Sequence, residues 1–178
     1  MGVVVVATVV SLSSGINLSP GVRDDPRHRR VILPLLASSL FLSWLVPWLD
    51  RRGICAVDGD AARWLGIAIL ISGAVLRVWP MFVLGRRFSG LVAIQPDHEL
   101  VTTGPYRHIR HPSYLGAVLG MIGFALVFRS GVGLVLLVPG ALLLHARMNA
   151  EEALLSEAFG SAYAAYRRRT WRLVPGLY

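Results

Sequence analysis

Two short stretches carry residue types suited to holding a charged ligand. The first is "RHIRHPSYLG", residues 107–116, where two arginines and two histidines stand directly before an apolar run. The second is "HARMNAEEALL", residues 145–155. In a continuous helix Arg147 and Glu151 lie four apart and share a face. That face offers an anion receptor beside a carboxylate, and the first stretch adds imidazoles, phenols and backbone amides. Other chemistries find little support. His108 and His111 are three apart, but Pro112 follows at once and works against regular helix. No H-E-x-x-H pattern occurs, and Cys55 is the single cysteine. An intrachain disulfide and a multi-cysteine zinc site are therefore excluded, and no metal is expected. Ser113 has no evident Asp–His support, and there is neither a Gly-rich phosphate loop nor a G-x-G-x-x-G fingerprint.

Plainer roles compete for the same residues. Arg107, Arg110 and Arg147 suit headgroup anchoring at a membrane surface. Asn149 with Glu152 matches a capping box, which would start a helix there. That competes with a helix running unbroken out of the preceding apolar segment. Tyr163 and Tyr166 read as packing residues.

The elements that must position these residues are membrane spans. The chain of 178 residues is 54% hydrophobic and 16% charged, against about 25% charged in ordinary soluble domains. All 18 basic side chains are arginine, and the formal net charge is +8. These cations flank apolar blocks and form no nucleic-acid motif, so the expected partner is the membrane surface and no nucleic acid. Residues 1–30 read as a loose tail, and residues 31–178 as one membrane domain. Spans are expected near 31–49, 64–85, 113–128 and 131–149, the last kinked at Pro139. Arg77 interrupts the second span and is expected either to pair with a carboxylate or to snorkel to an interface. A polar loop over 86–112 joins the second and third spans. Leu155, Phe159, Tyr163 and Tyr166, spaced by three and four, predict an amphipathic helix over 150–168. No convincing strand pattern or internal repeat is present. The predicted fold is all-α, a polytopic integral membrane bundle of about four helices with a cytosolic C-terminal helix. With four spans, the N-tail, the 86–112 loop and the C-tail share thirteen arginines, against Arg51, Arg52, Arg63 and Arg129 on the other side. The positive-inside rule then places the histidine loop and the C-terminal helix in the cytosol.

"LGRRFSG…HELVTTGPYRHIRHPSYLG" followed by "ARMNAEEALLSEAFGSAYAAYRRRTWRLVP" resembles the isoprenylcysteine carboxyl methyltransferase family over roughly residues 64–178. That family and the related phospholipid methyltransferases are integral-membrane enzymes that use S-adenosyl-L-methionine and release S-adenosyl-L-homocysteine. The resemblance implies a cofactor pocket built from Gln95, His98, Glu99, Leu100, Val101, Tyr106, His111, Pro112, Ser113, Tyr114 and Glu151. It implies that Arg147 faces the acceptor carboxylate, with Glu151 beside it in the catalytic pair, and that Arg172 contributes to acceptor binding. The implied reaction is methyl transfer to a lipophilic or lipidated acceptor, with a carboxylate favoured. Such an acceptor is ionised at neutral pH and needs no general base, so catalysis rests on alignment and desolvation. An amine or thiol acceptor would need deprotonation, for which a histidine is the plausible group. Competing readings are a phospholipid-type methyltransferase, an NADPH-dependent enzyme like the sterol reductases, and a membrane scaffold without activity. The N-terminal part carries no motif of the family, so the acceptor's identity is the least constrained feature.

Overall fold

The computed structural model describes residues 23–24, 41–42, 44–57, 59–84, 93–94 and 100–178. Residues 44–52 are helical. Four further helices follow: α1 (Asp60–Leu84), α2 (Pro112–Val127), α3 (Gly131–Val135) and α4 (Leu137–Arg168). A 3-10 turn, Gly104–Arg107, precedes α2. Among the described residues the only sheet is an antiparallel pair of two-residue strands, β1 (Arg23–Asp24) and β2 (Ala93–Ile94). Strands so short carry no alternation, and the architecture is helical as expected.

The α1–α2 pair is the backbone of the bundle, and glycine allows its close approach. A Cβ added at Gly116 would fall 2.5 Å from the Arg77 amide nitrogen, and one at Gly123 would fall 2.5 Å from that of Leu70. At Gly73 it would meet the Gly120 nitrogen at 2.6 Å, and at Gly66 the Val127 nitrogen at 2.7 Å. The partners run in opposite order along the two helices, which therefore lie antiparallel with backbones in contact. This is the small-residue packing of membrane helices, where dispersion and close approach replace the hydrophobic effect as the cohesive force.

Asp60–Pro80 and the segment Gly131–Arg168 are long and apolar enough to cross a membrane, and α2, with 16 residues, is shorter. Their large apolar side chains point outward: Trp64 is 71% exposed, Phe82 80% and Leu142 65%. A soluble protein does not leave so continuous an apolar surface in water, whereas lipid solvates it. The expected span at 31–49 lies largely outside the described residues.

The structure decides between the two readings of the last helix. It does not end near 149 to restart at 150; α4 runs unbroken through that point. The Asn149–Glu152 capping box therefore does not form, and the Asn149 side chain instead accepts from Arg172. The irregularity expected of Pro139 is present one turn earlier: the span is interrupted at Leu136, between α3 and α4, where Pro139 has no N–H to give the Val135 carbonyl. A second break lies at Gly160, at φ 49° and ψ −119°. In a straight helix residues 152 and 167 would stand about 22 Å apart along the axis. The Arg167 Nε is 3.9 Å from Glu152 Oε2, so α4 folds back sharply at Gly160.

Polar contacts gather at the two ends of the bundle. At one end Asp50 meets Arg129 at 3.3 Å and Arg63 at 3.7 Å. The chain at Ala56 also bridges to Ser130 there. At the other end the 104–111 loop, the second half of α4 and the tail after Arg169 come together.

Candidate active site

The loop is shaped by its prolines and one glycine. Gly104 adopts φ +58°, and a Cβ there would sit 3.2 Å from a Val83 methyl. Pro105 starts the 3-10 turn, and the buried Pro112 opens α2, where its missing N–H costs nothing. The tail locks the loop from outside. Arg110 N donates to Trp171 O at 2.8 Å, His111 N to Arg172 O at 3.1 Å, and Trp171 N to His108 O at 2.9 Å.

Two charged groups of residues result, one on each glutamate of the "EE" doublet. Adjacent helical residues point about 100° apart, so the two carboxylates serve different neighbours. Glu151 Oε2 accepts from the Tyr114 hydroxyl at 2.7 Å, and the same hydroxyl accepts from Arg147 Nε at 2.7 Å. The Arg147 guanidinium also lies 5.7 Å from the Tyr114 ring centroid. The expected shared face of Arg147 and Glu151 is realised, with a phenol joining them. Beside them, Arg77 Nη1 donates to Ser113 Oγ at 2.8 Å. Among the described residues Arg77 has no carboxylate partner, and the start of α2 supplies its acceptors.

Glu152 is the second centre, with its side chain 9% exposed. Its Oε1 accepts from Arg110 Nε at 3.0 Å and lies 3.1 Å from His111 Nε2 and 3.4 Å from Arg172 Nε. The Arg172 contact is electrostatic, since that nitrogen lacks hydrogen-bond geometry to any partner. Arg110 also donates through Nη1 to the Thr170 and Arg167 carbonyls. One buried carboxylate thus ties the loop, α4 and the tail together.

Of the residues expected at the site, Tyr106, His111, Pro112, Ser113, Tyr114, Arg147, Glu151 and Arg172 gather at this end. Leu100 and Val101 lead into the loop half-buried, while Gln95, His98 and Glu99 lie outside the described residues. The Ser113 hydroxyl is engaged by Arg77, and the His111 Nε2 edge by Glu152. Arg172 meets Glu152, Asn149 and Tyr178. Tyr106 is pushed above the ordinary phenol range, first by burial and then by the negative charge of Glu151, so it stays a protonated donor. Sequence reasoning passed over Glu152 as a site residue, and did not give Arg110 and Thr170 their roles. The doublet itself was the available signal, since adjacent helical carboxylates point about 100° apart and tend to meet different neighbours. Sequence reasoning also passed over a hydrogen-bonding vacancy: the Tyr163 hydroxyl, on a residue 1% exposed, has no partner among the described residues.

Residues 64–157 match the profile of the isoprenylcysteine carboxyl methyltransferase (ICMT) family. The chain belongs to that family. It is 25% identical over 148 residues to a protein-S-isoprenylcysteine O-methyltransferase of Dictyostelium discoideum, covering 82% of this chain and 62% of the relative. It is 30% identical over 164 residues to the cobalt-zinc-cadmium resistance protein CzcN of Cupriavidus metallidurans, covering 85% and 65%. The chain therefore spans less than two thirds of either relative. Among solved structures, the eukaryotic intramembrane Ras methyltransferase ICMT matches with a TM-score of 0.59 at 24% identity, over 88% of this chain and 55% of that one. That likeness concerns the fold, and the fold is that of a helical integral membrane protein.

Proposed function

We propose that the chain is a membrane methyltransferase that moves a methyl group from S-adenosyl-L-methionine to a lipophilic acceptor, with a carboxylate of the isoprenylcysteine type favoured. The observation that carries this reading is the Arg147–Tyr114–Glu151 arrangement, held beneath the Tyr106 loop in a chain of this family. The residues present suit the cofactor. Glu151 keeps one carboxylate oxygen without a partner among the described residues, suited to an ammonium or a sulfonium field. The buried, unpartnered Tyr163 hydroxyl and the protonated Tyr106 offer further polar contacts. Gln95, His98, Glu99, Leu100 and Val101 are assigned to the same pocket, with His111, Pro112, Ser113 and Tyr114 forming its α2 wall. The cofactor, when bound, supplies an electrophilic methyl group.

The protein's part is then to bind and align. Arg147 attracts the acceptor carboxylate, and the low-dielectric surroundings strip water from it, which strengthens it as a nucleophile. No proton need leave, because a carboxylic acid with an ordinary pKa near about 4 is already ionised. Tyr114 holds Arg147 and Glu151 in fixed relation, so that acceptor and donor sites keep one geometry. Arg172, on the far side of Glu152, keeps the tail against the loop and places it beside the acceptor path. The apolar outer surface suits lateral entry of the acceptor from lipid. In this reading four spans and the arginine balance put the site on the cytosolic side.

The test is transfer of labelled methyl groups to an N-acylated prenylcysteine by the purified full chain in detergent. Arg147→Ala is expected to cut transfer by about 100-fold, on the scale of a lost charge-assisted contact, while S-adenosylhomocysteine binding survives. Glu151→Ala should chiefly weaken that binding in calorimetry. If wild-type protein binds no S-adenosylhomocysteine, or if Glu151→Ala and His111→Ala both bind it unchanged, the assignment fails.

A further inference from the structure

A separate cleft of about 450 Å³ opens on the outer side of the loop, lined by Thr102, Arg107, His108, Tyr166 and Arg169. It is built by different side chains from the Arg147–Tyr114–Glu151 centre. The cationic and neutral donors come from two elements. Thr102, Arg107 and His108 belong to the loop, while Tyr166 and Arg169 belong to the end of α4. Among the described residues no carboxylate lines it, and neither Arg107 nor Arg169 has a carboxylate partner. The nearby Glu152 is already surrounded by Arg110, His111 and Arg172.

A helix C-terminus ordinarily repels anions, because its last carbonyls point outward. Here some of those carbonyls are engaged. Tyr166 O accepts from Arg169 N and Thr170 Oγ1, and the Arg167 and Thr170 carbonyls accept from Arg110. The Arg110 cation thus offsets part of the helix-end field, and Arg107 and Arg169 are both exposed. The floor is rigid: Tyr166 is 3% exposed, its hydroxyl donates to Tyr106 O at 2.8 Å, and Arg169 sits 5.9 Å from its ring centroid.

We infer that this cleft binds a phosphate group, and that the phosphate is that of a membrane lipid headgroup. Two guanidinium groups, an imidazole and a hydroxyl are the donor set a phosphate takes. Its surroundings suit an interface. The lining loop leads on into α2, an apolar helix, and the neighbouring tail exposes Trp171 at 48% and Leu177 at 84%. Exposed aromatic and aliphatic side chains next to arginines are how a protein meets the headgroup layer. Arg107 is thus a headgroup ligand, whereas Arg110 and Arg147 are held internally by Glu152 and Tyr114. The inference stands independently of the methyltransferase reading.

Native mass spectrometry of the detergent-purified full chain tests it, with phosphatidylglycerol and inorganic phosphate as the two probes. The variant is Arg107→Gln with Arg169→Gln. The charge-matched control is Arg51→Gln with Arg52→Gln, at the opposite end and also exposed. Cleft-variant retention of phosphatidylglycerol should fall about ten-fold or more relative to the control. Arg107→Lys with Arg169→Lys should fall between, since the ammonium keeps charge and loses the fork geometry. Wild-type retention that persists in millimolar phosphate supports a lipid source. Displacement by millimolar phosphate, with the same loss in the cleft variant, overturns the lipid source and leaves a free-phosphate site. Equal retention by the cleft variant and the control overturns the cleft altogether. An unchanged melting temperature in both Gln variants shows that the comparison is between folded proteins.

Discussion

The second glutamate of the doublet shows how much one side chain can organise. Glu152, on α4, faces Arg110 and His111 from the loop and Arg172 from the tail. Glu152→Gln would keep the shape but leave buried guanidinium charge without its counter-charge. Removing one partner of a buried ion pair costs about 3–5 kcal/mol. We expect the thermal midpoint in detergent to fall by several degrees, with the loop at 104–111 becoming protease-sensitive before the α1–α2 pair. An unchanged midpoint would show that Glu152 does not bind the three stretches together. At this scale the sequence was half legible. The Arg147–Glu151 pair follows from helical spacing alone, as does the packing role of Tyr163 and Tyr166. The partners of Glu152 are some 20 to 40 residues away, and local spacing pointed instead to a capping box with Asn149. That box lost because the helix does not begin there.

Among the elements, α1 and α2 hold together through glycine, and the geometry separates glycines that matter from one that does not. A methyl at Gly116 or Gly123 would press on the opposite backbone at 2.5 Å, whereas at Gly120 it would meet nothing within 4 Å. Gly116→Ala should therefore destabilise the pair by about 1–3 kcal/mol, the usual cost of overpacking. Gly120→Ala should be neutral or stabilising, because alanine is the better helix former by about 1 kcal/mol. Thermal unfolding in one detergent compares the two, and equal effects would contradict the packing described. The helices themselves were legible as apolar blocks. Their true ends were not, since α4 passes through a polar stretch that reads as a new element. The bend at Gly160 was hidden as well, because an isolated glycine in a helical pattern ordinarily signals only a modest loss of stability.

For the whole molecule, the two polar ends were the most legible feature, because charge runs between apolar blocks predict which loops share a side. The contacts group them in the same way, with Asp50, Arg63 and Arg129 at one end and the loop and tail at the other. Cys55, exposed at the first of these ends and the single cysteine, makes orientation measurable. A membrane-impermeant maleimide should label it on intact cells if the site faces the cytosol. Labelling that requires permeabilised membranes would reverse the proposed orientation. Less was legible about what encloses the acceptor, since apolar walls of a membrane protein look alike whether they face lipid or ligand.

The fold-back at Gly160 also sets an order of assembly. The α1–α2 pair needs nothing beyond Val127, so it can settle while the rest of the chain is still being made. The loop lies between these helices in sequence, yet the groups that clasp it, from Glu152 to Arg172, are synthesised after both of them. A ribosome that stopped after Phe159 would leave an inserted helical protein whose loop has Glu152 but none of the tail's contacts. Pulse-labelled nascent chains released at successive lengths should gain full protection of the loop only once the segment beyond Gly160 has emerged.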